Sequence, residues 1–314
     1  MSRVIAYLTY LLLKGFSFVV NLLPEDLSLR MGWWLGSVMY YLDLEHRKVA
    51  LQNLHLAFGR EKSEREIRLL TKKNFQNLGM TAMEFFRIPR MDVKTFEERV
   101  KIEGLEEAQT ILEKGKGILL LLSHFGNWEL MGIMSKVIGN PIMVIAKPIK
   151  KNQWVDQFIT KIRNTAGLEV ISSIKASRKV IKALSQNRVV GILIDQRAKR
   201  SEGVWADFFG KKAPTTPSLA VLAIKTGAPV LPVFMIRNGF QKHRLLIKGP
   251  LELIRTGDIK RDVEANTQLF NRTLESMVRQ YPDQWFWVHR RWERKKRRQH
   301  RWKTFPREEP KPLQ

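Results

Sequence analysis

The chain has 314 residues, 44% of them hydrophobic, and it carries 55 Lys and Arg against 30 Asp and Glu, a formal net charge of +25. This composition excludes a mostly disordered chain and is sufficient for one large α/β domain with short appendages. The excess of positive charge fits an anionic membrane, a nucleic acid, or an acidic protein or phosphorylated substrate as partner. Because the chain contains no cysteine, disulfides, thiolate catalysis and Cys-ligated metal centres are excluded.

Residues 4–23 are mostly apolar and carry one full charge, Lys14, and we assign residues 1–23 to an N-terminal membrane anchor. The segment is long enough to span a bilayer, for which about 20 apolar residues are needed. A lysine near the centre of a span costs about 2.5–3.5 kcal/mol. The alternatives are a helix in the interface, with Lys14 reaching the headgroups, and a helix buried in the protein core. If the segment spans, the basic residues that follow it, Arg30, Arg47 and Lys48, place the rest of the chain in the cytoplasm.

The next part of the chain, residues 24–99, is predicted to be helical. Residues 31–41 are too short to span a membrane, and their aromatic side chains fit either the membrane interface or packing on the protein body. Residues 46–54 carry apolar side chains at helical spacing. Ser63 and Glu66 form a capping-box pattern that begins the following helix.

From residue 100 onward, short apolar runs alternate with amphipathic helical patterns. The expected strands are residues 117–123, 141–146, 189–194, 228–235 and 243–248, the last nearer an edge because its pattern alternates. The expected helices are residues 129–138, 153–166, 177–187 and 219–226. This alternation predicts an α/β domain over residues 100–292, with a central mixed sheet flanked by helices. A basic tail, residues 293–314, follows it.

The segment most informative about chemistry runs from Ser123 to Glu129 (SHFGNWE). His124 directly follows a predicted strand, at the sheet edge where open α/β sheets bind ligands. Gly126 lets the backbone bend, and Asn127 can cap the next helix, so His124 and Glu129 can face each other. A carboxylate that fixes one imidazole nitrogen leaves the other as a general base. We therefore predict His124 as base and Glu129 as its orienting carboxylate, although this spacing alone also arises by chance.

This segment resembles the His-x4-Asp/Glu motif of glycerolipid acyltransferases and, more narrowly, of the bacterial lipid A secondary acyltransferases. Later segments are also similar to that family: residues 147–152 and 163–167, residues 195–197, 204–210 and 213–216, residues 226–232, and residues 281–292. Arg197 is a departure, because the family favours an acidic residue there. The resemblance implies an inner-membrane enzyme with its active site facing the cytoplasm. Its donor would be acyl carrier protein, or less commonly coenzyme A, its acceptor a lipid A precursor hydroxyl, and no metal or bound cofactor would be needed.

Several further residues are candidates for substrate binding. Backbone amides near Gly126 and Asn127, together with the Arg163 side chain, are candidate donors to the oxyanion. Lys147, Arg163 and Arg197 suit phosphate groups, with ordinary solvated charge as the alternative. Asp195 ends a predicted strand and should lie near the site, unless it only caps the next turn.

The sequence also allows other acceptors and other functions. The acceptor could instead be another glycolipid or a lysophospholipid, and the protein could be a non-catalytic membrane protein that binds lipid or carrier. Residues 290–298, with seven Lys or Arg in nine positions, could hold an anionic leaflet or an acidic carrier. Nucleic-acid binding is disfavoured because no recognition motif accompanies the charge.

Two apolar segments also allow alternative placements. Residues 204–209 could line an acyl groove or pack as a loop. The aromatic residues at 285–292 fit the core or the membrane interface.

Overall fold

The structure is a computed structural model that describes residues 3–292, so residues 293–298 of the basic segment proposed to bind a leaflet or carrier lie outside the described residues. Arg291 of that segment is instead fully buried, and its Nη1 donates to the carbonyl of Pro214 at 2.9 Å. The N-terminal third of the structure is helical, as predicted. The helices there are α1 (Arg3–Leu22), α2 (Glu25–Leu42), α3 (Leu44–Phe58), α4 (Glu64–Arg87) and α5 (Val93–Arg99). The Ser63 side chain and the Glu66 side chain each bond the other residue's backbone N–H, which confirms the capping box at the start of α4.

A seven-stranded sheet forms the centre of the rest of the chain. Its strands are β1 (Val100–Glu103), β2 (Ile118–Leu122), β3 (Met143–Ala146), β4 (Glu169–Ser172), β5 (Val189–Leu193), β8 (Val230–Arg237) and β9 (His243–Ile247); a separate antiparallel hairpin comprises β6 (Val204–Phe208) and β7 (Lys211–Thr215). The order is β1-β9-β8-β2-β5-β3-β4. Only β8 and β9 pair antiparallel within this sheet, so the prediction of a mixed central sheet is confirmed. The sequence had not predicted β1, β4 or the hairpin.

Helices cover both faces of the sheet. They are α6 (Leu105–Glu113), α7 (Met134–Val137), α8 (Gln153–Thr165), α9 (Ala176–Ser185), α10 (Ser218–Thr226) and α11 (Ile259–Gln280). The predicted helix over 129–138 is instead a 3-10 turn, Leu130–Ile133, followed by the single turn of α7. Gly132 in this turn packs so tightly that an added Cβ would lie 3.0 Å from Ala166 and Leu168. Close packing against the end of α8 therefore accompanies the irregular geometry here.

Helix α2 has a packed face and an exposed face. Its glycines lie directly against α4, and a Cβ at Gly36 would lie 2.2 Å from the carbonyl oxygen of Phe75. On the opposite face, Trp34 and Tyr41 are 59% and 58% exposed. Packing on the protein body, one of the two alternatives for residues 31–41, therefore accounts for only one face of the helix.

Helix α1 packs on α4 and α8 while remaining mostly exposed. It is long and apolar enough to cross a membrane, and only 11% of its most apolar window is buried. The alternative of an ordinary core helix does not fit, because a core helix would bury most of that window. By length and composition, α1 is the described helix suited to contact a membrane.

The aromatic cluster near the end of the described chain belongs to the core. Trp285, Trp287 and Trp292 are 1%, 0% and 7% exposed. The side-chain amide of Asn53 donates to the carbonyl of Trp287 at 2.8 Å, and that of Asn74 to the carbonyl of Trp285 at 2.6 Å. These bonds fix the C-terminal segment against α3 and α4, and they hold it across the carboxyl edge of the sheet.

Candidate active site

His124 lies in a tight turn at the carboxyl end of β2, as predicted. Gly126 in this turn has a φ of +56°, and a Cβ there would lie 1.7 Å from the carbonyl oxygen of Met235. Its N–H donates to the carbonyl of Gln284 at 2.8 Å. The turn is thus clamped between β8 and the C-terminal segment, and only glycine fits this position.

The carboxylate bonded to His124 is that of Asp195. Oδ1 of Asp195 lies 2.9 Å from Nδ1 of His124, and Oδ2 accepts the backbone N–H of His124 at 3.0 Å and the indole N–H of Trp285 at 2.9 Å. Burial alone would raise the pKa of Asp195, but the charge and hydrogen bonds of His124, with the Trp285 bond, hold that pKa below its usual value. Asp195 is therefore a buried, ionised partner of the imidazole.

Glu129 has a different partner from the one expected. Its oxygens accept from Nη2 and Nε of Arg163 at 2.6 and 3.0 Å, and from the indole N–H of Trp128 at 3.1 Å. The expectation that Glu129 orients His124 is therefore corrected: Asp195 holds the imidazole, and Glu129 holds Arg163. Burial alone would lower the pKa of Arg163, but the bonds and charge of Glu129 raise it. Whether His124 and Glu129 are catalytic remains a prediction.

The second nitrogen of His124 is on the side away from Asp195. Nε2 lies 3.3 Å from the side-chain nitrogen of Gln196. A donor at that position fits a neutral imidazole with its proton on Nδ1 and its lone pair on Nε2. The rings of Trp128 and Phe286 lie 5.2 and 5.6 Å from the imidazole and 5.8 Å from each other, so the three rings form one cluster.

A second histidine near the site had not been singled out from the sequence. Nε2 of His289 accepts the backbone N–H of Arg197 at 3.0 Å. Burial lowers the pKa of His289 to about 4, with the neighbouring positive charges adding to this and Asp195 opposing it. His289 is thus neutral at pH 7 and fixes the segment that follows Asp195. Its place in the C-terminal aromatic segment was the only sequence signal for it.

A cavity of about 960 Å³ opens beside His124. Its polar end is lined by His124, Glu129, Arg163, Lys147 and Arg197. Its other end is apolar and reaches the first residues of the central strands and one face of α6, with Ile118, Val189, Leu105, Ala108 and Leu112 in its wall. Since β2 has five residues, the cavity follows the sheet for at least about 13 Å, at about 3.3 Å per residue. Such a site fits a long apolar chain with a polar head at the imidazole.

Comparisons with known proteins identify the family of the chain. The family model for bacterial lipid A biosynthesis acyltransferases matches residues 1–294. The chain belongs to this family. It is 28% identical to a lipid A biosynthesis lauroyltransferase of Escherichia coli K12, over 88% of this chain and 89% of the relative. It is 26% identical to a lipid A biosynthesis palmitoleoyltransferase of the same organism, over 86% of each. A phosphatidylinositol mannoside acyltransferase of Mycolicibacterium smegmatis is 27% identical over 67% of each chain. The protein is thus an acyltransferase.

Three predicted site residues of this acyltransferase, Gly126, Asn127 and Asp195, do not line the cavity. Asn127 is fully buried and donates to Glu84 at 2.6 Å, while its oxygen accepts the N–H of Leu130 at 3.4 Å. It therefore bonds the first residue of the 3-10 turn that stands in place of the helix it was expected to cap, and it does not line the cavity. Gly126 and Asp195 also lie outside the cavity lining, so any contact of these three with substrate remains a prediction.

A buried ionic cluster, Glu84, Arg237 and His243, supports the motif from α4 and the β8–β9 hairpin. The Glu84 carboxylate bonds both Nη atoms of Arg237, and the three side chains are 1–4% exposed. Burial alone would raise the pKa of Glu84, but the charges of Arg237 and His243 lower it. Burial lowers the pKa of His243 to about 4. The motif of the acyltransferase is thus connected to the helical region through Asn127.

Residues 204–209 do not line the cavity of the enzyme. Their strand β6 pairs with β7 and packs on α11, where the backbone N–H of Asp207 donates to Gln268 at 2.7 Å. Phe208 and Phe209 are buried in the main core. The alternative of a packed segment is therefore the one that the structure supports.

Proposed function

We propose that the enzyme transfers a fatty acyl chain from the thioester of acyl carrier protein, or of coenzyme A, to a hydroxyl of a lipid A precursor. The observation that carries the proposal is the position of Nε2 of His124. This nitrogen stands at the polar end of a long apolar cavity, where its neighbour is the exposed side-chain amide of Gln196 at 3.3 Å. The other ring nitrogen is bonded to a buried carboxylate.

In the proposed reaction, the acyl chain fills the apolar part of the cavity and the thioester carbonyl lies beside His124. Nε2 takes the proton of the acceptor hydroxyl as its oxygen attacks the carbonyl carbon. Asp195 stabilises the imidazolium that forms. When the tetrahedral intermediate collapses, the carbon–sulfur bond breaks, an ester remains, and the thiolate takes the proton from His124. No metal or bound cofactor takes part in this scheme.

Arg163 is the candidate to stabilise the oxyanion. Its described bonds to Glu129 use Nε and Nη2, so Nη1 can donate to a developing negative charge. Glu129 holds the planar guanidinium in one orientation through two parallel bonds. In this proposal the second carboxylate of the motif positions an arginine rather than the histidine.

Lys147 and Arg197 line the polar end of the cavity and are proposed to bind phosphate groups. These groups belong to the phosphopantetheine arm of the donor or to the acceptor headgroup. Arg is suited to bidentate contacts with phosphate, and Lys provides a point charge. The substrates thus enter the cavity from the side that carries these cations.

A lipid A precursor is favoured over a glycosylated phospholipid as the acceptor. The matches to the two lipid A enzymes cover 88% and 86% of this chain, whereas the match to the mannoside enzyme covers 67%. Helix α1 and the net charge of +25 support a place at an anionic membrane. We propose the bacterial inner membrane, with the active site facing the cytoplasm.

The test is acyl transfer by purified protein in detergent, with labelled acyl carrier protein or acyl-coenzyme A as donor. Tetraacylated lipid A precursor and phosphatidylinositol mannoside are the two acceptors. We expect product with the lipid A precursor, and a loss of roughly 10²–10⁴-fold in His124→Ala. His46→Ala, which removes an exposed histidine on α3, is the control and should keep activity. No product with any donor and either acceptor would overturn the proposed donor and acceptor of this acyltransferase.

A further inference from the structure

We propose that α1 lies in the plane of the membrane, on the same side as the catalytic domain, and does not cross the bilayer. The inference rests on the proposed membrane association and defines how that association is made. Its partner is one leaflet of a bilayer, contacted by the exposed face of α1. The evidence is the burial or exposure of the two faces of this helix and the hydrogen bonds made near its two ends.

The two faces of α1 have different environments. Ala6 and Val20 are 4% and 0% exposed, and Leu13 and Phe16 pack against the core between them. The opposite face is apolar and exposed, with Leu8, Leu12, Phe18 and Leu22 at 52%, 75%, 65% and 62%. A helix with one face on its own protein and one exposed apolar face fits a position along a membrane surface.

Both ends of α1 are hydrogen-bonded to other helices of the protein, α8 and α4. Near its start, the side-chain amide of Asn152 donates to the carbonyl of Ala6 at 2.8 Å. Near its end, Nη1 of Arg87 donates to the carbonyls of Val20 and Leu23 at 2.8 and 2.9 Å. Asn152 is the N-cap of α8, and Arg87 ends α4. Helices α8 and α4 thus bind α1 at Ala6 and Val20, which are about 21 Å apart along the helix axis, at 1.5 Å per residue.

A spanning helix could not keep these contacts. The hydrocarbon core is about 30 Å thick, so a span would carry the first turn of α1 to the far side. The ring pairs Tyr7–Trp154 and Tyr10–Phe158, with centroids 5.4 and 6.1 Å apart, would be lost together with the Asn152 bond. An in-plane helix keeps all of them.

The position of Lys14 agrees with the same arrangement. It lies near the middle of α1 and on its exposed side. In a span it would lie deep in the hydrocarbon, at a cost of about 2.5–3.5 kcal/mol. On an in-plane helix its four-carbon stem can carry the ammonium to the headgroups.

This arrangement brings the membrane close to the active site. Trp154 and Phe158 of α8 contact α1, while Ile159 and Arg163 of the same helix line the cavity. One helix, about 10–12 Å in diameter, therefore separates the membrane-facing helix from the cavity. A lipid acceptor could reach His124 with its other chains still in the leaflet.

Because the chain has no cysteine, cross-linking can test the docking of α1 in native membranes. We expect the double variant Tyr7→Cys/Trp154→Cys to be joined within one molecule by a short bis-maleimide. Tyr10→Cys/Phe158→Cys, the second ring pair, should be joined as well. The control, Leu12→Cys/Trp154→Cys, pairs Trp154 with the exposed face of α1 and should react far more slowly. Absence of a cross-link in both ring pairs would overturn the proposal.

Sidedness gives the deciding measurement. In sealed vesicles of one orientation, a membrane-impermeant maleimide should label Arg3→Cys, at the start of α1, and Ser201→Cys, in an exposed catalytic loop, from the same side. Labelling from opposite sides would show a span and overturn the proposal. Acyl transfer is assayed in the same vesicles. If the two cysteines are labelled from opposite sides and activity is full, the in-plane helix is overturned and the proposed function is kept. If they are labelled from the same side and no acyl transfer occurs, the proposed function is overturned and the in-plane helix is kept.

Discussion

His124 and Asp195 are brought together by the pairing of two parallel strands. Leu122, the last residue of β2, pairs with Leu193, the last residue of β5, and each site residue follows two positions after the end of its strand. The two side chains therefore meet at the same edge of the sheet, with Nδ1 and Oδ1 2.9 Å apart and Asp195 only 2% exposed. This contact joins residues 71 positions apart in sequence, and it makes the imidazole a fixed part of the scaffold.

Asp195→Asn tests whether this carboxylate is needed to position the base. We expect kcat to fall by roughly 10²–10⁴-fold with a small change in KM, because the amide cannot stabilise the imidazolium. Losing the negative charge also disfavours the protonated imidazole, so the acidic limb of the pH–rate profile should move to lower pH. Steady-state kinetics across pH measures both. Asp207→Asn, on the exposed side of the hairpin, is the control, and an unchanged pH profile in Asp195→Asn would contradict this role.

Glu129→Gln and Arg163→Lys test the second carboxylate of the motif. Since Glu129 holds Arg163 by two bonds, we expect both variants to lose roughly 10²-fold in kcat as oxyanion stabilisation weakens. The acidic limb of their pH–rate profiles should stay at the wild-type pH, whereas that of Asp195→Asn should move. A shift of that limb in Glu129→Gln equal to that in Asp195→Asn would show that Glu129 acts on the imidazole after all.

The sequence was sufficient to predict the central strands because they are buried on both faces and read as continuous apolar runs. The four-residue edge strands β1 and β4 lack such a run, and the β6–β7 hairpin contains Asp207, Lys211, Lys212 and Pro214, so neither type was predicted. The position of His124 followed from the strand that precedes it. Asp195 follows its strand in the same way, and only the register of β2 with β5 shows that it meets His124.

The partner of Glu129 could not be predicted from spacing. The five-residue separation from His124 suggested that the two face each other, but the helix expected after Asn127 is a 3-10 turn. That geometry accompanies the bond of Glu129 to Arg163, 34 positions later on α8. Likewise, the apolar composition of α1 is the same for a span and for a docked helix. The tertiary contacts of α1, among them the bonds of Asn152 and Arg87 to its backbone, are what favour a docked helix over a span.

The inner end of the cavity should set the length of the acyl chain. Ala108 lies in the wall of that end on α6, and Ala108→Phe would fill space there. Loss of room for two methylenes costs about 1.6 kcal/mol, at about 0.8 kcal/mol each. The ratio of kcat/KM for a palmitoyl over a decanoyl donor should therefore fall about tenfold or more. Thr110→Phe, exposed on the same helix, should leave the ratio unchanged; an unchanged ratio in Ala108→Phe would place the chain elsewhere.

His243 should make the fold sensitive to acid. It is buried among Glu84, Arg237 and Arg99, and burial lowers its pKa from 6.5 to about 4. Between these values the unfolded chain binds a proton that the folded chain does not, so the free energy of unfolding falls as the pH drops through 6.5 and stops falling below 4. The full loss is on the order of 3 kcal/mol. Glu84 stays charged through this window because its own pKa is lowered.

His243→Gln isolates that contribution. Urea unfolding in detergent, followed by tryptophan fluorescence at pH 7 and pH 5, should show a loss of stability on acidification that is about 2 kcal/mol smaller than in the wild type. His289, whose pKa is also about 4, is present in both proteins, so its part cancels in the difference. His46→Gln removes an exposed histidine instead and should keep the wild-type loss. Equal losses in wild type and His243→Gln would mean that His243 is not held neutral in the folded acyltransferase.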